Sequence, residues 1–429
     1  MPDLPGPDNI LRHTLPNGIT VLIRENSDAQ SVVIDGLLRA GAVYEQQHGL
    51  VNFLSAAMMR GTQRRDFATL HEELEGVGAS LDIDSGVHHL LFDGKALAED
   101  LPLLLDLLND VLRYPSFPET QVERLRGEML TGLKLQQQNT RYMASKLFRQ
   151  HAYPAHHPYH HGLSGEIETI SAISLDDLRA FHAQQVGPQG MIVVIVGNVQ
   201  ANAALQAVAD TLGDWHNPHQ APPSPLPDAP PITRPTIEHF PIAGKSQVDL
   251  LLGVVGPSRY ADDFLTARVA NNIFGVFGMF GRLGKVIREE QGLAYYSSSQ
   301  LLGGHGPGAW RVSAGVDPSN VQQAVDSIRQ QIARLLAEPV GADELEDNKL
   351  NIMGSLPLSL ESNEGVAAQI VAMESYGLGL DYLYRYSDAI NSITAAQIQE
   401  TMARYWSPDA FVLTSAGPEI AVPIASVLQ

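Results

Sequence analysis

The reading of the fold turns on residues 48–62, H-G-L-V-N-F-L-S-A-A-M-M-R-G-T. Leu50, Phe53, Leu54 and Ala57 fall at helical spacing and predict a buried helix opening after Gly49. Asn52, Ser55 and Ala56 then share one face of that helix. Positions i, i+3 and i+4 converge on a helix, and a His-x-x-Glu-His motif uses this to present two imidazoles to a zinc ion and a carboxylate to the zinc-bound water. Here the three positions hold Asn, Ser and Ala. Either the match is accidental or this is a zinc helix with its chemistry removed, and the rest of the chain decides.

Working outward, 429 residues exceed one ordinary core, so two domains or more are expected. A hydrophobic content of 44% with 18% charged residues describes a soluble globular protein. The longest apolar run, 191–196, suits a buried strand and falls far short of a bilayer span, so no membrane insertion is expected. The 28 basic and 48 acidic side chains give a formal charge of −20, which repels nucleic acid and anionic membranes. If that charge does more than maintain solubility, it favours neutral or basic partners. With no Cys there is no disulfide framework, thiolate metal site or cysteine nucleophile. The opening M-P-D-L-P-G-P-D-N has neither a basic nor an apolar leader segment, so the expected location is the cytoplasm, or the periplasm if a signal peptide has been removed.

Residues 10–24 read as two short strands around a Pro-Asn-Gly turn, and 32–40 continues the sheet. Helices are expected over 67–77, 101–112 and 119–138, strands over 80–93, a Ser-capped helix from Ser174 and a strand at 191–196. The proline-rich segment 217–235 cannot enter a sheet or helix interior and is read as a linker. The second half then repeats the first. I-S-A-I-S-L-D-D-L-R-A-F at 170–181 aligns with I-N-S-I-T-A-A-Q-I-Q-E-T at 390–401, Gly187-Pro188 with Ser407-Pro408, and Val196-Gly197 with Ala416-Gly417. One offset of 220 fits all three (390 − 170, 408 − 188, 417 − 197), which argues for duplication of an α/β unit. The expected architecture is α+β, two homologous tandem domains at 1–216 and 236–429, each a β-sheet covered by helices.

The richest stretch of the second half is N-I-F-G-V-F-G-M-F-G-R-L-G-K-V-I-R-E-E-Q-G-L-A-Y-Y-S, residues 272–297. Gly275, Gly278, Gly281 and Gly284 recur every third residue, but no strand–GxxxxGK[ST]–helix pattern accompanies them, and Phe277 and Phe280 are expected to bury the loop. Close packing at a helix N-terminus is the plainer reading. Arg288 and Tyr295 flank a turn at Gly292, where both could donate to a peptide carbonyl or developing oxyanion, or form a surface pair. The tract H-A-Y-P-A-H-H-P-Y-H-H at 151–161 is rich in imidazole, yet its two prolines and its place at a helix end favour an exposed loop over a ligand cluster. His88 and His89 would point to opposite faces of a strand and so could not share a metal. Glu72-Glu73 and Glu289-Glu290 read as solvated helix faces.

The 48–62 segment, followed by E-E-L-E-G-V-G-A-S-L-D, resembles the region where M16 zinc peptidases (the insulinase, pitrilysin and mitochondrial processing peptidase family) carry G-L-x-H-F-L-E-H-x-x-F-x-G-T. R-L-G-K-V-I-R-E-E-Q-G-L-A-Y-Y is similar to that family's R-L-x-x-x-x-R-E-x-x-G-L-A-Y. The resemblance spans nearly the whole chain and implies an M16 metallopeptidase-like (LuxS/MPP-like) fold. It places the zinc-ligand histidines at Asn52 and Ala56, the general-base glutamate at Ser55 and the further ligand glutamate at or near Gly132; none of these side chains serves. The family's substrate-binding Arg and Tyr match Arg288 and Tyr295. The implied protein is the non-catalytic subunit of a two-chain enzyme, a heterodimer or heterotetramer that cuts peptides or unfolded segments. No metal would be held by this chain, and zinc would come from the partner subunit. Gly275, Gly278 and Gly281 are further candidates for substrate contact. The alternative is a structural scaffold subunit of a larger complex, as some duplicated M16-like chains are.

Overall fold

The computed structural model describes residues 4–276 and 280–420. The first half runs β1 (Leu11–Thr14), β2 (Thr20–Glu25), β3 (Ser31–Leu38), α1 (Leu50–Met58), α2 (Phe67–Gly76), β4 (Ser80–Ser85), β5 (Leu90–Leu97), α3 (Leu101–Arg113), α4 (Glu119–Gln136), α5 (Thr140–Ala152), α6 (Ile167–Ala172), α7 (Leu175–Gln185), β6 (Ile192–Gly197) and α8 (Ala201–Leu212). No helix or strand forms from there to Thr236. The second half runs β7 (Thr236–Pro241), β8 (Val248–Val255), α9 (Phe264–Asn271), β9 (Ala294–Leu301), β10 (Ala309–Val316), α10 (Val321–Ala337), α11 (Ala342–Ser359), α12 (Asn363–Ser375), α13 (Tyr382–Asn391), α14 (Ala395–Tyr405) and β11 (Val412–Gly417).

The two sheets share one five-strand topology, to which sheet 1 adds β1 at its edge. Sheet 1 is ordered β1-β2-β6-β3-β5-β4 and sheet 2 β7-β11-β8-β10-β9. In each, one parallel pair, β2 with β6 and β7 with β11, is followed by antiparallel neighbours. The repeat extends to caps. Ser174 accepts from Asp177 N ahead of α7, and Thr394 accepts from Gln397 N ahead of α14, each in a reciprocal capping box. These two caps stand 220 residues apart (394 − 174), the offset read from the sequence.

The compact units cut across the chain halves. One comprises Met1–Leu133, Gly162–Pro225 and Pro357–Arg385; the other comprises Lys134–His161, Leu226–Leu356 and Tyr386–Gln429. Helix α5, from the first half, therefore belongs with sheet 2, and α12, from the second half, with sheet 1. The physical cause lies in the central strands. β6 (I-V-V-I-V-G) and β11 (V-L-T-S-A-G) are buried along their whole length, so each sheet needs helices on both faces. Met143, Ala144, Phe148 and Ala152 of α5 pack on Leu251, Val412 and Ala416 of sheet 2. Helix α12 lies on β3 and β6, and its first turn is fixed by Asn26 to Asn363 (2.7 Å) and Lys95 to Glu364 (2.5 Å).

Candidate functional site

Helix α1 forms as its periodicity predicts: Leu50, Phe53, Leu54 and Ala57 are all buried in the first unit's core. Gly49 precedes it at φ +92, and a Cβ there would lie 2.7 Å from Gly165 Cα, so the tight entry requires glycine. The free amides at the helix start are satisfied by Glu45, whose carboxylate accepts from Gly49 N and Val51 N, both at 3.1 Å. On the polar face, Asn52 Oδ1 accepts from Ser85 Oγ at the end of β4 (3.1 Å), and Ser55 Oγ donates to Asn52 O (3.1 Å). Ser55 is buried, whereas Asn52 and Ala56 are half-buried. Helix α4 is held to this region by Arg60 to Glu128 (2.9 Å) and by Arg126 stacked 5.0 Å from the Phe53 ring centre. Gly132 lies on α4, with open space where a side chain would project. These residues do not fit a zinc ion: two are hydrogen-bonded to each other or to Ser85, and two offer no ligand atom. Among the described residues, no group of three or more His, Cys, Asp or Glu side chains is placed to hold a metal.

In the second unit, Arg288 sits in a wide π-type helical turn, Gly284–Glu290, that ends in Gly292 at φ +64. Leu293 N donates back to Ile287 O (2.9 Å), closing the turn immediately before β9. Tyr295 is the second residue of β9. Gly315 pairs with Tyr296 and Val316 with Ala294, so Tyr295 is the extra residue of a β-bulge. A bulge re-aims its side chain, and Tyr295 is 73% exposed between buried Ala294 and half-buried Tyr296. Arg288 is exposed as well, and among the described residues neither side chain has a hydrogen bond or ion pair.

The neighbouring Tyr296 is the opposite case. Its hydroxyl donates to buried Asp249 of β8, Arg141 Nε donates to it at 3.2 Å, and the Arg141 guanidinium lies 4.2 Å from its ring centre. Asp249 also accepts from Thr140 Oγ1 and from Gln247 Nε2 at 3.0 Å. Burial and the Asp249 hydrogen bond push the Tyr296 phenol well above its usual range. A Cβ at Gly315 would come within 2.4 Å of the Tyr296 ring, so glycine makes the space the ring fills. Sequence reasoning missed this anchor; its signal was a lone carboxylate in the otherwise apolar V-D-L-L-L-G-V-V of β8.

Of the glycine candidates, Gly275 and Gly281 are buried and nearly touching. A Cβ on Gly281 would lie 3.1 Å from Gly275 Cα, and one on Gly275 would lie 2.7 Å from Ser299 N. Gly278 and Phe277 lie outside the described residues. Phe280 is 79% exposed, contrary to the expectation that it buries the loop, because the glycine contacts already fill that space. The histidine tract also departs from expectation. His157 is fully buried, stacked on Tyr153 with ring centres 5.1 Å apart, and its Nδ1 accepts from Tyr159 N (3.0 Å). Burial holds its pKa below the usual histidine value. His151 instead pairs with Glu238, and His160 and His161 bond backbone carbonyls. His88 and His89 occupy the turn between β4 and β5 and are not strand residues as expected, because the pairing of β4 with β5 closes at Ser85 and Leu90.

Sequence profiles of M16 match both halves. The profile described as insulinase (peptidase family M16) covers residues 20–159, and the one described as peptidase M16 inactive domain covers 172–352. The chain belongs to the M16 peptidase family. The first match contains Asn52, Ser55, Ala56 and Gly132, and the second contains Arg288 and Tyr295. Among its M16 relatives, a Bacillus subtilis protein described as an uncharacterized zinc protease is 22% identical, over 82% of this chain and 85% of its own. The mitochondrial-processing peptidase subunit beta of Caenorhabditis elegans is 24% identical, over 91% and 86%. Human cytochrome b-c1 complex subunit 1 is 25% identical, over 61% and 54%. The fold matches a crystal structure of a peptidase M16 inactive domain from Pseudomonas fluorescens with TM-score 0.89 at 24% identity, covering 96% of this chain and 98% of that one. A protease from Helicobacter pylori matches with TM-score 0.86 at 17% identity, covering 97% and 100%.

Proposed function

We propose that this chain is the non-catalytic, Arg/Tyr-bearing subunit of a two-chain M16 metallopeptidase that cleaves peptides or unfolded segments. The observation that carries the reading is the pairing of a zinc face without ligands with an Arg288/Tyr295 pair that is exposed and unengaged among the described residues. A bulge and a buried tyrosine anchor would have little structural purpose if Tyr295 were an ordinary surface residue. In the proposed enzyme a zinc-bearing M16 partner supplies the metal and the general base. Arg288 and Tyr295 donate to the substrate carbonyl as negative charge grows on its oxygen. Removing one such donor costs about 2.7–4 kcal/mol of transition-state stabilisation, or roughly 10²–10³ in rate.

The purified chain is expected to carry no stoichiometric zinc and to cleave no peptide, and activity should appear on adding a partner with an intact His-x-x-Glu-His helix. Arg288→Ala or Tyr295→Phe should then lower kcat roughly a hundredfold while leaving assembly intact. Robust activity of the metal-replete chain alone, or normal cleavage by both variants, overturns the reading. A second reading, a scaffold subunit without peptidase activity, is favoured by the similarity to cytochrome b-c1 complex subunit 1. It predicts a stable complex in which both variants are silent.

A further inference from the structure

The face of sheet 2 that α5 covers carries a guanidinium with no carboxylate to neutralise it. Arg311 of β10 lies in register between Gly253 of β8 and Gln300 of β9. Its Nη1 donates to Ser145 Oγ at 3.4 Å and its Nη2 to Gln300 Oε1 at 3.3 Å, both neutral partners at the long limit of a hydrogen bond. Its Nε is buried without a partner. Among the described residues, no Asp or Glu forms an ion pair with it. Burial, and after it the positive charge of Arg149, hold Arg311 below the ordinary arginine pKa. Arg141, Ser145 and Arg149 fall at i, i+4 and i+8 on α5, so the helix turns one stripe toward this face.

A half-buried cation beside a like charge is costly unless an anion joins it. The duplication shows that the fold does not require a cation there. β10 and β5 hold equivalent places in the two sheets, and the shared offset (311 − 220) puts Leu91, 41% exposed, at the matching position. The chain has also made room for the arginine stem, since a Cβ at Gly253 would lie 2.7 Å from Arg311 Cβ.

We propose that Arg311 forms a carboxylate-binding subsite that takes an acidic side chain or the free C-terminal carboxylate of a peptide. The proposal rests on the peptide-handling role proposed above. An arriving carboxylate replaces two long neutral contacts with charge-assisted hydrogen bonds of about 2.7–2.9 Å, in a fork that matches the planar guanidinium.

The test is equilibrium binding of N-terminally labelled hexapeptides to the full chain alone, read by fluorescence polarisation. One peptide carries an internal Glu and an amidated C-terminus, one carries Gln and a free C-terminus, and the control carries Gln and an amidated C-terminus. At least one carboxylate peptide should bind about tenfold more tightly than the control, and which one identifies the source. Arg311→Gln should reduce that preference to less than about twofold, Arg311→Lys should retain part of it, and the Arg311→Gln chain should melt at the same temperature as the parent or higher. Equal affinity for all three peptides, including no binding by any, overturns the proposal. So does a preference that survives Arg311→Gln, or a clear loss of melting temperature in both variants, which would make Arg311 structural. Carboxylate preference without partner-dependent cleavage would reject the peptidase reading and leave the subsite standing. Cleavage without the preference would do the reverse.

Discussion

Asp35 offers a test of the electrostatics of sheet 1. It pairs directly with Asp93 across β3 and β5, and Asp93 in turn pairs with Asp82 on β4, so three carboxylates cross the sheet in register. Asp84 adds a fourth on β4, and Lys95 of β5 is already engaged with Glu364 of α12. Burial first, and Asp93 second, raise the Asp35 pKa from 3.8 to about 6. At 1.36 kcal/mol per pKa unit that gap corresponds to about 3 kcal/mol. Residual solvent contact screens part of it, leaving about 2 kcal/mol. The sign follows from linkage. The folded chain holds this proton more tightly than the unfolded chain, so the contribution is fully present below pH 3.8 and is lost as pH rises through about 6. Above that, the ionised carboxylate opposes folding. Asp35→Asn keeps the shape without the charge and should stabilise the first unit by about 2 kcal/mol at pH 7.5, with only a small effect at pH 4. For a unit of this size that is about 4–8 °C in melting temperature. Thermal and urea unfolding of both chains at pH 4, 6 and 7.5 measure it. A stabilisation equal at pH 4 and 7.5, or destabilisation at pH 7.5, would refute the reasoning.

Three further outcomes are expected. Asn52→His, Ala56→His and Gly132→Glu together should give a chain that takes up about one zinc by metal analysis, because α4 leaves open space at position 132; a folded variant that binds none shows that the two helices are not placed to share an ion. Gly315→Ala should cost about 1–3 kcal/mol in urea unfolding, since its Cβ would stand 2.4 Å from both the Tyr296 ring and Gln247 Nε2; unchanged stability means the bulge does not depend on that space. Asp110 is fully buried and accepts from Thr62 Oγ1 (2.6 Å), Arg64 Nε and Arg65 Nη1 (both 2.9 Å). Asp110→Ala should therefore cost about 1–3 kcal/mol by removing the buried acceptor of Thr62, Arg64 and Arg65, while Asp106 still pairs with both guanidinium groups and Glu73 with Arg65; unchanged stability would show that solvent replaces the carboxylate.

What the sequence revealed and what it withheld divide by the range of the interaction. Leu50, Phe53, Leu54 and Ala57 announced α1 because helical burial has a period that neighbours within one turn display. The duplication was legible because 170–181 and 390–401, Gly187-Pro188 and Ser407-Pro408, and Val196-Gly197 and Ala416-Gly417 keep one offset of 220. Helices α5 and α12 carry ordinary amphipathic spacing, and no local pattern says which sheet each will cover; that follows from β6 and β11 needing two covered faces. The bulge at Tyr295 was equally hidden. Nothing in A-Y-Y-S-S-S marks an extra residue, because its cause is Gly315 on the next strand and the Asp249 anchor on the strand beyond. The polar face of α1 needed no such partner, since Asn52, Ser55 and Ala56 lie within one turn and their chemistry is legible from residue type alone. The absence of metal-binding side chains at these positions was therefore readable residue by residue. How Tyr295 is presented was readable only once three strands had been paired, and the same distinction should govern the Arg311 subsite, whose cation, glycine and helix stripe come from three separate segments of the chain.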